Sequence, residues 1–585
     1  MKKPGYEFYI LLIPIFMTVG FHLYDFGLPA VWPDESSFWI TSLSMVYPPD
    51  SELYKHALAF SWAHYGPLHV QFAPHASAIF DTYALIPFLF VFGIGVTAIR
   101  IYSMVVAVLS IFLTYFAGKE LFSPKVGLIA SSLLAINPLF IFFTRQGILY
   151  EWILVSAFLL VIIFGVRYRK TLQNSYLFFS VVLIPLGVFS YAWFLWFALG
   201  LMVTLPLFVK KLFKNSKSQI ISNSQNNFSF NNNKIKKLFV ISSALFLGGL
   251  PLILQSIFLT PYSLLVMLLR TVGIGDTSAY LRQDNSNFIE NFMMRIEHLF
   301  QMLGLESKFG LYFANLNVPF DSPSFVYPVL FIFSLIIAFV YILYRKQKFK
   351  HIIGILVIIF IVLVTSSFTV SGFNPIQLAP LLPLIVILIA WSIFTAFSKI
   401  NKLKKTLFNK PISYIFIIIT LSVIGILQIP VLTDGFYALE NSSTANTAIP
   451  YQNMNEYILN NELNAVSVGW FTNKNIVVYS DGQIVPKVLL QLHPHLTFDD
   501  EYKNSMNNLE TYVDVNKPNL YIVYTYSNLP DCTTESLSNY SSDHFVCAQF
   551  YLIESAAQRN EKTLSIIDFP LPDGTSYLRA FEFVD

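Results

Sequence analysis

Residues 118–151 read GKELFSPKVGLIASSLLAINPLFIFFTRQGILYE. Lys119 and Lys125 precede an apolar run over 127–144, Asn137-Pro138 marks a helix end inside it, and Arg145 and Glu151 follow. A helix needs roughly 17–25 mostly apolar residues to cross a hydrocarbon core about 30 Å thick. The stretch therefore reads as a membrane crossing with charge at each mouth. Working outward, similar runs occupy 6–24, 78–98, 101–121, 150–166, 176–208, 238–258, 324–344, 352–370, 378–397 and 412–432. The run 176–208 is too long for one helix and carries a Ser190-Tyr191 break, so it reads as a hairpin of two. Roughly eleven to thirteen transmembrane helices result.

Composition agrees with that reading. Of 585 residues, 55% are hydrophobic, 17% aromatic and only 12% charged, with a mean hydropathy of +0.58. A soluble domain averages about 25% charged residues. Disorder, coiled coil and a single large soluble globule are set aside. From Thr433 to Asp585, 7 Lys+Arg stand against 19 Asp+Glu, a balance of −12; residues 1–432 keep 30 against 15, or +15. The expected fold class is mainly α: a polytopic membrane module over 1–432 and a small extracytoplasmic α/β domain over 433–585.

Lys and Arg mark cytoplasmic loops. They collect at Arg167–Lys170, Lys210–Lys217 with Lys234–Lys237, Arg345–His351 and Lys399–Lys410. The outer face then receives the first external loop 25–77, the Ser190 hairpin tip, the external loop 261–323 and the C-terminal domain. Only Met1-Lys2-Lys3 precedes the first run, with no small-residue cleavage site before Asp25, so a retained helix with a cytoplasmic N-terminus is expected. Counting crossings puts Arg100 and Arg145 outside and Lys119–Lys125 inside. The segment 78–98, with Asp81 and Pro87, must then begin and end on one side, as a re-entrant or juxtamembrane piece or a misread loop.

The Asn/Ser-rich linker Ser216–Asn233 reads as a cytoplasmic loop. Within the loop 261–323, Ser286–Leu303 shows helical apolar spacing, with Asn287 and Glu290 as a capping pair. Such a helix either lies in the interface over a site or packs on the bundle. In the tail, AVSVGWF, NIVVYS and NLYIVYTY look like strands and TAIPYQNMNEYILNNE like an opening helix. Cys532 and Cys547 fit one short disulfide loop or two free thiols.

Several ionisable residues cluster in the expected outer loops and mouths. Asp34 and Glu35 follow Trp32-Pro33 in the first external loop. A partly desolvated carboxylate there suits a general base; a solvated turn with Asp34 as N-cap is the structural alternative. His75 and Asp81 stand at the mouth of an apolar run, where an ionisable group means function or a satisfied partner. Arg100, Arg145 and Glu151 are expected to reach the same face as Asp34. Arginines there suit a phosphate or snorkel to headgroups. The sequence has no P-loop, no GxGxxG after a soluble strand, no HExxH and no CxxC pair. Cytoplasmic nucleotide-sugar chemistry is thereby set aside, and no nucleic-acid partner is expected.

The order of these pieces resembles the dolichyl-phosphate-mannose–protein mannosyltransferases and their relatives, glycosyltransferase family 39 of the C-type superfamily. Asp34-Glu35 matches that family's acidic pair. Gly93 with Arg100-Ile101-Tyr102-Ser103, then Gly118–Glu151, then GVFSYAWF (Gly187–Phe194) match its next signatures, over roughly the first 210 residues. No WWDYG-like string of oligosaccharyltransferase catalytic subunits occurs.

The resemblance implies a C-type bundle that transfers one sugar, mannose or another hexose, from a polyprenyl-phosphate carrier. The acceptor is a protein, glycan or lipid at the outer face of the plasma membrane. In that scheme Asp34 is the base for an inverting attack and Glu35 orients it. Arg100 and Arg145 hold the leaving phosphate, with His75 as an added donor. Asp81, Glu151, Tyr191 and Trp193 line the substrate pocket. No cofactor is required beyond the lipid-linked donor, and no metal, although Asp34, Glu35 and Asp81 together form a set able to hold a divalent ion. The competing classes are a transporter or flippase of lipid-linked glycans and a non-enzymatic membrane receptor.

Overall fold

The computed structural model describes residues 6–24, 26, 42–43, 51, 64–65, 71–72, 79–145, 150–190, 194–209, 227–258, 287–304, 324–344, 350–368, 375–403, 412–441, 448–467, 470–481, 483–488, 519–524, 553–554, 556–571, 574 and 576–584. The apolar runs become helices α1 (Tyr6–Leu23), α2 (Ile79–Phe92), α3 (Val96–Leu121), α4 (Pro124–Ala135), α5 (Pro138–Arg145), α6 (Tyr150–Thr171), α7 (Asn174–Ser190) and α8 (Phe194–Val209). They continue as α9 (Asn227–Phe258), α10 (Phe288–Met302), α11 (Val326–Tyr344), α12 (Lys350–Ser366), a 3-10 helix at Pro375–Leu381, α13 (Leu382–Leu403) and α14 (Ile412–Asn441). By length and composition, three described helices can cross a membrane, or four when the bent pair α4–α5 counts as one; six shorter apolar helices accompany them.

One element follows the sequence reading and two differ from it, for plain causes. The expected hairpin over 176–208 is two helices, α7 and α8, as its excess length required. The last part of the Asn-rich linker is helix rather than loop, because α9 starts at Asn227 and runs polar residues straight into the apolar segment. The expected segment 78–98 divides at Gly93–Gly95, both with positive φ (75° and 146°), into α2 and the start of α3. At 1.5 Å per residue the 14 residues of α2 reach about 21 Å, short of a full crossing, which fits a juxtamembrane or re-entrant piece.

Helices α3 and α4 form a tight hairpin at the quoted stretch. A methyl on Gly118 or Gly127 would strike the facing helix backbone, so only glycine allows this approach. Ser123 caps α4 by accepting from the Val126 amide at 3.3 Å, with Pro124 at the first helical position. The α3 and α6 C-termini lie side by side, where Glu120 accepts from Arg167 Nε at 3.0 Å and Lys170 Nζ at 2.7 Å. Their N-termini, carrying Arg100 and following Arg145, therefore share the opposite end.

In the tail, α15 (Ala448–Asn460) and α16 (Trp470–Tyr479) pack on a sheet of β3 (Asn464–Ser467), β4 (Lys487–Val488), β5 (Asn519–Tyr524), β6 (Thr563–Pro570) and β7 (Ser576–Val584), ordered β4-β3-β5-β7-β6. β3 is parallel to β4 and β5, whereas β7 is antiparallel to β5 and β6. Two-residue strands β1 (His64–Tyr65) and β2 (Gln71–Phe72) pair separately. The expected strand NIVVYS is helix α16, and the helix also takes Trp470-Phe471 from the end of AVSVGWF. Parallel β3 and β4 need a crossover between them, and α16 is that crossover. It reads as a strand because both its faces are buried: Ile476 enters the core of the tail domain, while Val477 and Val478 enter the core of the membrane bundle. Asp481, just beyond, lies against Gly95 at the start of α3. The tail thus docks on the bundle end that holds Arg100. Cys532 and Cys547 lie outside the described residues.

Candidate active site

Two buried arginines define that end. Arg100 is 4% exposed and Arg145 2%. Arg145 ends α5, which Asn137 starts by accepting from the Phe140 amide at 2.9 Å. Arg100 Nη1 donates to the Arg145 carbonyl at 2.6 Å, so one arginine fixes the backbone of the other. Arg145 Nη1 donates to the Phe21 carbonyl at the end of α1. Its guanidinium stacks 4.9 Å from the Phe436 ring centre. Phe436 in turn contacts Phe142 (5.2 Å) and Tyr24 (4.9 Å) edge-on. Phe436 belongs to α14, which continues past Leu432 to Asn441, so the last long helix helps frame the site.

The sequence reading passed over three residues near this end. His22, 5% exposed, sits one residue from Phe21 with Nδ1 2.9 Å from the Thr18 carbonyl. A histidine ending an apolar run was the available signal. Arg295 and His298 lie on the buried face of α10. The expected cap is present there: Asn287 accepts from the Ile289 amide at 3.0 Å and donates to Glu290 at 3.1 Å. Arg295 Nε and Asn291 Nδ2 reach the Ser366 and Ser367 carbonyls at 3.4 and 3.3 Å, satisfying the C-terminus of α12. Burial lowers the Arg295 pKa to about 10, and burial with the Arg295 charge holds His298 at about 4. Phe288, Ile289 and Met293 of the same helix are exposed. Its buried face thus mixes Asn291, Arg295 and His298 with Leu299 and Met302, and its outward face mixes those apolar side chains with Glu290 and Glu297.

Of the expected site residues, Arg100 and Arg145 come together. Asp81 falls in the first turn of α2 and Glu151 in that of α6, but their side chains lie outside what is described. Asp34, Glu35, His75, Tyr191 and Trp193 also lie outside the described residues. Among the described residues, no three His, Cys, Asp or Glu side chains gather as a metal site.

Residues 78–222 match the family described as Dolichyl-phosphate-mannose-protein mannosyltransferase. That span contains both arginines. ArnT from Cupriavidus metallidurans bound to undecaprenyl phosphate superposes with a TM-score of 0.56 at 9% identity, covering 98% of this chain and 97% of that one. Its apo state gives 0.53 at 10% identity over the same shares. This is a C-type membrane glycosyltransferase fold. The family resemblance read from the sequence holds, and the chain is a multi-pass membrane protein. The Archaeoglobus fulgidus oligosaccharyltransferase in its apo form aligns more loosely, with a TM-score of 0.47 at 12% identity over 100% of this chain and 74% of that one. No curated protein sequence matches the chain.

Proposed function

We propose that this glycosyltransferase moves a single hexose, mannose or a relative, from a polyprenyl-phosphate carrier to an acceptor hydroxyl on the outer face of the plasma membrane. The observation that carries the proposal is the pair of buried guanidinium groups at one end of the bundle. Cations are costly at such depth, and their described partners are carbonyls and a ring. A phosphate arriving from the lipid side is the kind of anion that an arginine fork binds. The ArnT neighbour, solved with undecaprenyl phosphate, supports that ligand chemistry.

In the proposed reaction the acceptor oxygen attacks the anomeric carbon opposite the phosphate, and the carbon–phosphate oxygen bond breaks. Asp34 takes the acceptor proton, Glu35 orients the acceptor, and polyprenyl phosphate leaves. Charge grows on that phosphate as the bond breaks. Arg100 and Arg145 then bind the transition state more tightly than the ground state, which lowers the barrier. His75 adds a donor, and Asp81, Glu151, Tyr191 and Trp193 line the sugar pocket. The scheme needs no metal. The N-terminus is cytoplasmic and the tail domain extracytoplasmic.

The test is incubation of purified protein with a polyprenyl-phosphate hexose and mixed protein, glycan and lipid acceptors, reading release of free polyprenyl phosphate. Wild type should release it, and Asp34→Asn should lower release by about 10²–10⁴-fold. Normal release by folded Asp34→Asn removes the base. Movement of intact donor across vesicles without release indicates a flippase, and binding without either indicates a receptor.

A further inference from the structure

We propose that Tyr327 is a positioning residue for the lipid-phosphate site, acting through the bend between α4 and α5 that delivers Arg145. The proposal rests on the reading of Arg145 as a phosphate ligand.

The bend is 62° and its origin is chemical. Pro138 has no amide hydrogen, so the Leu134 carbonyl lacks its regular helical donor. The Asn137 amide turns back to fill that gap, donating to Leu134 at 3.1 Å. This diversion deprives the Leu133 carbonyl of the donor an unbroken helix would supply. In a membrane bundle, a backbone carbonyl left bare is costly, since no water is at hand to bond it. Tyr327 supplies the missing donor: its hydroxyl, fully buried in α11, donates to the Leu133 carbonyl. In a straight helix that carbonyl would already have its own amide as donor, so the tyrosine bond is worth most in the bent form. Asn137 joins the same contact: its side chain bonds the Tyr327 hydroxyl and caps α5 at Phe140.

Two turns beyond Pro138, α5 ends at Arg145. The carbonyl of Arg145 anchors Arg100, and its guanidinium meets Phe21 and Phe436. The direction of α5 therefore sets both cations at once. Tyr327 touches neither of them in this description, yet it stabilises the one geometry that brings them together.

Equilibrium binding of undecaprenyl phosphate to the full-length protein in detergent tests this without knowledge of the acceptor. Tyr327→Phe removes only the hydroxyl and should weaken binding about tenfold. Ser334→Ala removes another buried hydroxyl from α11, one bonded to its own helix at Leu330, and should change binding less than twofold. Arg145→Gln should weaken binding more, and adding Tyr327→Phe to it should cost less than the product of the two single losses, because only the placement of Arg100 on the residue-145 carbonyl is left to disturb. If Tyr327→Phe yields no folded protein, Asn137→Ala removes both the α5 cap and a partner of the tyrosine hydroxyl, and should weaken binding in the same way. Unchanged binding in Arg145→Gln would sink the phosphate reading itself. Weakened binding in Arg145→Gln with normal binding in the bend variants, or multiplicative losses in the double variant, would overturn the positioning role alone.

Discussion

The two ends of the bundle treat arginine in opposite ways. At one end Arg167 and Lys170, about a third and a half exposed, share the carboxylate of Glu120. At the other, Arg100 and Arg145 are almost wholly buried, and their described partners are carbonyl oxygens and an aromatic ring. Ion pairs near water contribute little to stability and compete with solvent. In the low-dielectric interior such polar contacts are stronger than in water. On the proposed reading, the difference separates charges that face water from charges set to hold a lipid phosphate.

Four experiments bear on that contrast. Arg145→Gln should lower transfer at least about 100-fold, roughly 2.7 kcal/mol of lost transition-state stabilisation. Arg145→Lys should recover little, because a point charge cannot make the same forked contacts. Loss of less than tenfold in steady-state release would put the two ends on equal footing.

The second effect is on stability and belongs to α10. His298 titrates at about 4 when folded, against 6.5 for an ordinary histidine. Below pH 6.5 the unfolded chain binds the proton first, so the stability of the neutral buried ring is lost as pH falls from 6.5 to about 4. The slope is at most about 1.4 kcal/mol per pH unit. Melting temperatures at stepped pH in detergent should show it, and His298→Asn should flatten the slope.

Third, Glu120→Ala should cost about 1 kcal/mol of stability, since both its partners are solvated, and leave transfer within about twofold. A large loss of transfer would mean that the Glu120 end also serves the reaction. The smallest effect is expected from Lys119→Ala. It removes a cation 5.6 Å from the Tyr115 ring, worth about 0.5 kcal/mol, which is measurable only by a careful melting comparison.

Much of the fold was legible because lipid leaves few options. Apolar length gave the helix positions, and the excess length of 176–208 gave the α7–α8 hairpin. The capping pair Asn287 and Glu290 was legible too, since it depends on local spacing. The misread elements were those decided at a distance. Asn475–Ser480 looks like a strand because Ile476-Val477-Val478-Tyr479 is an unbroken β-branched and aromatic run; it is a helix because one side faces the sheet and the other the membrane helices. Arg295 and His298 drew no notice because sequence alone does not say which face of α10 is buried. Arg100 and Arg145 were legible as isolated cations at helix mouths, but their mutual anchoring was not.

The sequence by itself determined a membrane bundle with an acidic tail, since hydropathy, charge bias and helix-breaking residues act locally. Only the tertiary structure decided that two arginines 45 positions apart would meet, because their meeting depends on a bent helix, a glycine-tight hairpin and the end of a helix nearly 300 residues further along the chain. Those are packing outcomes, and packing is settled by shapes brought together in space.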